Sequence, residues 1–183
     1  MSPKSLLLIL ALALFGGLAG LWVRGLVHQP QGTPPPPGTP MLAVGDSASD
    51  FQLPDLQGQP QAFTQWHGKP ILLNFWATWC PPCIEEMPML DAAHRADGSG
   101  LTVIGVALDE GGEVQKFLAK NPVRYPILLA GEGAEVDLST TYGNAKSVLP
   151  YSVLIGRDGQ ILAQKFGLLR ERDLDAWQAM IRE

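Results

Sequence analysis

Residues 6–23 are all apolar or Gly, and no other stretch of the chain looks like them. From residue 42 onward, short apolar runs alternate with amphipathic ones. Residues 51–53 and 61–63 alternate around Asp55-Leu56-Gln57-Gly58, which predicts a β-hairpin. Residues 71–76 form an apolar run with little alternation, the pattern of a strand buried on both faces. A helix is expected over residues 81–95, with Ile84, Met87, Leu90 and Ala93 spaced by three. Pro81 and Pro82 are tolerated in a first helical turn, whereas Pro88 should kink the helix.

Residues 101–108 predict a second core strand, and Val114, Phe117 and Leu118 a short helix ending near Asn121. Residues 127–130 predict a third strand and residues 136–142 another short helix. Residues 151–155 and 161–166 flank Arg157-Asp158-Gly159-Gln160, a hairpin turn. Leu174, Trp177 and Ile181 give a last helix its apolar stripe. Strand–helix alternation closed by a hairpin and a helix implies an α/β fold, a central mixed sheet with helices on both faces.

The apolar run at the start reads as an anchor. At ~1.5 Å per residue, a helix over residues 6–23 approaches the ~30 Å of a bilayer core. A cleavable signal peptide is the competing reading, but its apolar region is usually ~7–15 residues long and ends at a small-x-small site. This run closes on Leu21-Trp22-Val23-Arg24, and Trp22 suits an interfacial position. Residues 1–27 are therefore expected to be an uncleaved membrane anchor. Residues 28–41 follow as a linker; six prolines between Gln29 and Pro40 favour an extended spacer. Residues 42–183 form the folded domain. The net charge of −5 and the lack of a basic stripe argue against nucleic-acid binding.

The chain has two cysteines, Cys80 and Cys83. A disulfide framework would show more, and a structural zinc site needs about four ligands, so no metal is expected. The pair stands where a buried strand gives way to a helix. Cys80 at the helix N-terminus meets unpaired N–H groups and the macrodipole, which favour a thiolate and pull its pKa below the free value of ~8.5. Cys83 follows one turn later, within reach of Cys80, so the pair can cycle between dithiol and disulfide. The outer sulfur attacks and the inner one resolves the mixed disulfide. No cofactor beyond this redox-active disulfide is called for.

The segment Leu73-Asn74-Phe75-Trp76-Ala77-Thr78-Trp79-Cys80-Pro81-Pro82-Cys83-Ile84-Glu85-Glu86-Met87-Pro88 resembles the active-site segment of TlpA/ResA-type thioredoxin-like proteins. These are membrane-tethered bacterial disulfide reductases, some serving cytochrome c maturation. The resemblance runs from about Val44 to the C-terminus. It implies a thioredoxin-like fold in which residues 113–130 are a helix–strand insertion. It also implies that Pro150 is a cis-proline facing the cysteines, leaving the Leu149 backbone free to pair with an extended substrate. Asn74 stands where thioredoxin has a buried, titrating Asp; Glu86 matches a glutamate of ResA-type proteins and takes over the proton of the resolving thiol. Trp79, Pro81 and Pro82 shape the docking surface, while Trp76 belongs to the core. The implied function is reduction of disulfides in extracytoplasmic proteins, apocytochrome c among them. The implied setting is the periplasmic face of a bacterial inner membrane, with electrons from a membrane thiol carrier of the DsbD or CcdA kind.

Rival readings fit less well. A peroxiredoxin needs a threonine three residues before its reactive cysteine, and Thr78 is two before Cys80. A periplasmic oxidase or isomerase of the DsbA type usually carries a histidine between its cysteines and a large helical insertion. A Sco-type copper chaperone uses three intervening residues and a remote C-terminal histidine, and no His follows His94 in this chain.

Overall fold

The computed structural model describes residues 41–96, 100–131 and 138–182. The expected anchor and all of the expected linker except Met41 lie outside the described residues. No helix among the described residues is long and apolar enough to cross a membrane.

An N-terminal hairpin pairs β1 (Gln52–Pro54) with β2 (Pro60–Ala62) in antiparallel register. Its turn is organised by Asp55, whose Oδ1 accepts the backbone N–H of Gln57 and Gln59. A 3-10 turn (Phe63–Trp66) leads into β3 (Ile71–Trp76). Then come α1 (Pro81–Arg95), β4 (Thr102–Ala107), α2 (Gly111–Lys120), β5 (Ile127–Leu129) and the short α3 (Leu138–Thr141). The chain closes with β6 (Tyr151–Ile155), β7 (Ile161–Phe166) and α4 (Glu171–Met180).

The central sheet has the order β5-β4-β3-β6-β7. β3 runs parallel to β4 and β4 to β5, while β6 is antiparallel to both β3 and β7, so the sheet is mixed as expected. β3 lies at its centre and every residue of it is buried. Leu72 and Trp76 face the cluster that holds α1 and both cysteines; Ile71, Leu73 and Phe75 face a second cluster with Phe63, Tyr142 and Tyr151. A strand covered on both sides has no use for polar alternation, which is why its sequence reads as one apolar run. Gly105 in β4 is needed for space. A Cβ there would come within 2.7 Å of Ile127 Cδ1, 3.0 Å of the Tyr125 ring and 3.1 Å of Trp76 Nε1.

The helix α1 begins and ends where expected, but its buried stripe differs. It consists of Cys83, Glu86, Met87, Leu90 and Ala93, with Ile84 only half-buried. Steps of three drift by about 60° around a helix of 3.6 residues per turn, so a true face alternates steps of three and four. That alternation brings Glu86 inside. The helix runs through Pro88, whose ring is exposed.

Candidate active site

The site sits at the end of the sheet where β3 finishes and β6 begins. Cys80 is the N-cap of α1, with extended backbone, and Cys83 is in its first turn. The two are joined by a disulfide with Cα atoms 5.3 Å apart. Both are buried: Cys80 keeps 4% of its surface and Cys83 none. The difference has the expected sense, with Cys80 the outer sulfur, although in the disulfide it is barely open. Trp79, next to it, is 59% exposed. Pro81 is exposed and Pro82 half-buried.

The first turn of α1 is short of donors. Pro81 and Pro82 have no N–H, and the N–H groups of Cys83 and Ile84 already donate to the Cys80 carbonyl at 3.1 and 3.2 Å. The hydrogen-bond half of the expected thiolate stabilisation is therefore reduced: two of the N–H groups are absent, and in the disulfide form the next two are engaged by a carbonyl. What remains is the macrodipole and, in the dithiol, the Cys83 S–H.

Glu86 lies one turn beyond Cys83 and is 2% exposed. Its Oε1 accepts from Asn74 Nδ2 at 2.7 Å, and its Oε2 accepts from the Leu169 N–H at 2.7 Å. Burial pushes its carboxyl up from the ordinary 4.5 to about 7, against the pull of these two hydrogen bonds and of Lys165. A carboxylate at that value exchanges its proton readily near neutral pH. Asn74, at 1% exposure, reaches across β3 to Ser152 Oγ in β6 at 3.0 Å. Asn74 and Ser152 are the polar members of otherwise apolar strands.

The Leu149–Pro150 bond is cis. The segment before it is pinned by Asn144, whose Oδ1 accepts the Val148 N–H and whose Nδ2 donates to the Val148 carbonyl, both at 3.0 Å. The Gly167 N–H donates to the Pro150 carbonyl at 2.8 Å. Among the described residues, no hydrogen bond engages the Leu149 N–H or carbonyl. Leu149 packs against the cluster that contains Cys80 and Cys83. Phe166, opposite Tyr151 in the β6–β7 register, is 46% exposed and Val148 36%. On the far side of α1, the Thr78 N–H and hydroxyl both donate to Asp109 Oδ2, which ties the strand–helix junction to the loop after β4. A cleft of about 190 Å³ lined by Phe63, His67, Lys69, Arg157 and Asp158 opens at the opposite end of the sheet and contains none of these residues.

The residues singled out in the sequence thus fall into groups. Cys80, Cys83 and Glu86 share one buried helical face, and Leu149 and Pro150 occupy the adjoining strand mouth. Trp79 and Pro81 stand at the surface beside them. Sequence reasoning passed over the partners: Ser152, Asn144, the Leu169 N–H, and Asn74 as the donor to Glu86. A lone polar residue inside an apolar strand was the available signal for Asn74 and Ser152, because a buried polar group needs a partner.

A mixed sheet, a helix starting at a CxxC disulfide and a cis-proline opposite define a thioredoxin-like redox domain. The chain belongs to the AhpC/TSA family, which it matches over residues 44–173, and within it to the ResA-type thiol–disulfide oxidoreductases. It is 32% identical over 137 residues to the thiol-disulfide oxidoreductase ResA of Geobacillus thermodenitrificans, covering 73% of this chain and 75% of that protein. Among solved structures, it is similar to a DsbE-type thiol:disulfide interchange protein from Chlorobium tepidum, at 31% identity and a TM-score of 0.66, covering 77% of this chain and 96% of the other. A secreted Mycobacterium tuberculosis disulfide oxidoreductase homologous to DsbE aligns at 26% identity and a TM-score of 0.60, covering 71% of this chain and 95% of the other. Thiol–disulfide exchange through Cys80 and Cys83 is the chemistry of this protein.

Proposed function

We propose that this protein works as a reductase: its dithiol form reduces disulfides in proteins outside the cytoplasm. The observation that carries the direction is the donor-poor start of α1. A strong oxidase stabilises its reduced form by holding a thiolate in hydrogen bonds. Here Pro81 and Pro82 withhold those donors, so the disulfide is the relatively favoured state and the dithiol gives up its electrons readily.

The Cys80 thiolate attacks one sulfur of the substrate disulfide; the substrate S–S bond breaks, and the first substrate thiolate leaves with the electron pair. Cys83 then loses its proton to the Glu86 carboxylate and attacks Cys80 Sγ. The Cys80–substrate bond breaks, the second substrate thiolate leaves, and Cys80–Cys83 is oxidised. Leu149, with its free backbone groups beside cis-Pro150, pairs with an extended substrate segment. Trp79, Pro81 and Pro82 form the rest of the surface on which it docks. In this reading residues 1–27 anchor the chain in a bacterial inner membrane with residues 42–183 on the periplasmic side. A membrane thiol carrier of the DsbD or CcdA kind recharges the pair. Apocytochrome c, whose haem-site cysteines form a disulfide, is a fitting substrate.

Cys83→Ser blocks resolution and leaves the mixed disulfide in place. Expressed in membranes, it should hold disulfide-linked partner proteins that reductant releases. A variant that accumulates no such adduct, while Cys80 remains alkylatable, contradicts the proposal.

A further inference from the structure

Glu86 has to be satisfied both with and without its proton, inside the protein. Charged, it accepts at both oxygens, from Asn74 Nδ2 and from the Leu169 N–H. Protonated, it becomes a donor and needs an acceptor, which a backbone N–H cannot be. The side chain already at the other oxygen is Asn74. Its Nδ2 donates to Glu86 and to Ser152 Oγ, while its Oδ1 is buried with no partner at all. A buried carbonyl oxygen without a partner is rare enough to ask for a reason.

We propose that Asn74 is the positioning residue for the Glu86 proton: its side-chain amide turns over when Glu86 is protonated, presenting Oδ1 to the new O–H in place of Nδ2. The amide oxygen and nitrogen are nearly the same size, so the turn needs no repacking of β3 against α1. Ser152 is suited to both orientations, because a hydroxyl accepts from Nδ2 in one and donates to Oδ1 in the other. The outward side of the amide lacks a partner in either state. A fixed donor or acceptor there would lock one orientation; without one the amide can turn, and the new O–H···O bond from Glu86 offsets the cost of leaving the two Nδ2 hydrogens where Oδ1 had been. Glu86 is thereby met by a donor when it is a base and by an acceptor when it is an acid.

The other groups around Glu86 do not exchange protons for it. Lys165 on β7 favours the carboxylate and is itself paired with Asp173 on α4 at 3.2 Å. Glu85, its neighbour on α1, disfavours the charge. Tyr125, before β5, is held neutral by burial, and its hydroxyl has no partner. β4 has no titratable side chain, and β6 has only Tyr151, whose hydroxyl donates to the Tyr142 carbonyl. The cysteines do not titrate while bonded to each other.

This inference rests on the proton role proposed for Glu86, and its test uses the full-length disulfide form, where turnover does not enter. The Glu86 side-chain carboxyl carbon and the Asn74 side-chain NH2 are followed by NMR from pH 5 to 9. The carboxyl should titrate near neutrality, and the Asn74 resonances should move with the same midpoint. In Glu86→Gln, the amide NH2 of the new side chain takes the place of the O–H, so Asn74 should keep its low-pH signature at every pH. In Asn74→Leu both protonation states of Glu86 lose a partner, the carboxylate the stronger one, so its midpoint should rise by only about one pH unit or less. If the carboxyl titrates while Asn74 stays constant, the turnover is refuted and the role of Glu86 survives. If the carboxyl does not titrate in this range, both fall.

Discussion

Replacing Glu86 by Gln should stabilise the folded disulfide form above neutral pH and leave its stability near pH 4 almost unchanged. In the folded protein the carboxyl titrates at about 7 because it is buried; its ordinary value is 4.5. Between those two values the native state binds a proton that the unfolded state has released. Stability therefore falls as pH rises through this window, and the loss is complete above about pH 7. A displacement of some 2.5 units at ~1.36 kcal/mol each comes to about 3 kcal/mol. Gln has the same shape and no proton to lose, so the variant lacks this decline. His94 works in the opposite direction. Burial lowers its pKa from 6.5, so the unfolded state binds the proton and stability rises as pH climbs towards 6.5. Both proteins carry His94, so its contribution cancels in the comparison. Urea unfolding of the two oxidised proteins from pH 4 to 8 measures the effect. The gap between their stabilities should widen by about 3 kcal/mol over that range in favour of the variant. Parallel stability curves would refute the reasoning, because they would mean that the Glu86 carboxyl has the same pKa folded and unfolded.

In the reduced protein, iodoacetamide should label Cys80 well before Cys83, since Cys80 is the outer sulfur at the helix N-terminus; equal rates would count against that placement. Pro82→Ala restores one N–H to the first turn, and a hydrogen bond to a charged group is worth about 1.5–3 kcal/mol. The Cys80 pKa should fall, and the redox potential should rise by roughly 30–60 mV in glutathione equilibration; an unchanged potential would remove the donor-poor helix start as the basis of direction. Gly105→Ala should destabilise by about 1–3 kcal/mol in thermal or urea unfolding, because the new methyl group meets Ile127, Tyr125 and Trp76; a neutral effect would show that the Ile127 side chain yields freely.

Much of the fold can be read from local pattern. β3, α1, β6 and β7 have the bounds that apolar runs, the two leading prolines and the Asp158-Gly159 turn predict. These signals are local: a strand buried on both faces, a helix start and a tight hairpin each leave their mark within a few residues. The short elements are less well bounded. The helix after β4 starts at Gly111, ahead of its first apolar anchor Val114, because a helix's first turn need not bury anything. The redox pair was legible for the same reason as the helix start, since CxxC and its strand–helix junction are contiguous. The environment of Glu86 was not. Its partners come from β3, from β6 through Asn74, and from the loop before α4, up to 83 residues away in sequence. Two successive prolines also remove N–H groups on which a low thiol pKa at a helix start depends, a cost that the CxxC spacing alone does not display.

The direction of electron flow is the centre of this account, and acid-quenched alkylation trapping of Cys80 and Cys83 in cells tests it most directly. The pair should be found largely as dithiol in cells with an intact membrane thiol carrier and as disulfide when that carrier is deleted. A pair that is oxidised in both strains, together with efficient oxidation of reduced peptides by the purified protein, would contradict the reductase reading and assign the protein to the oxidases.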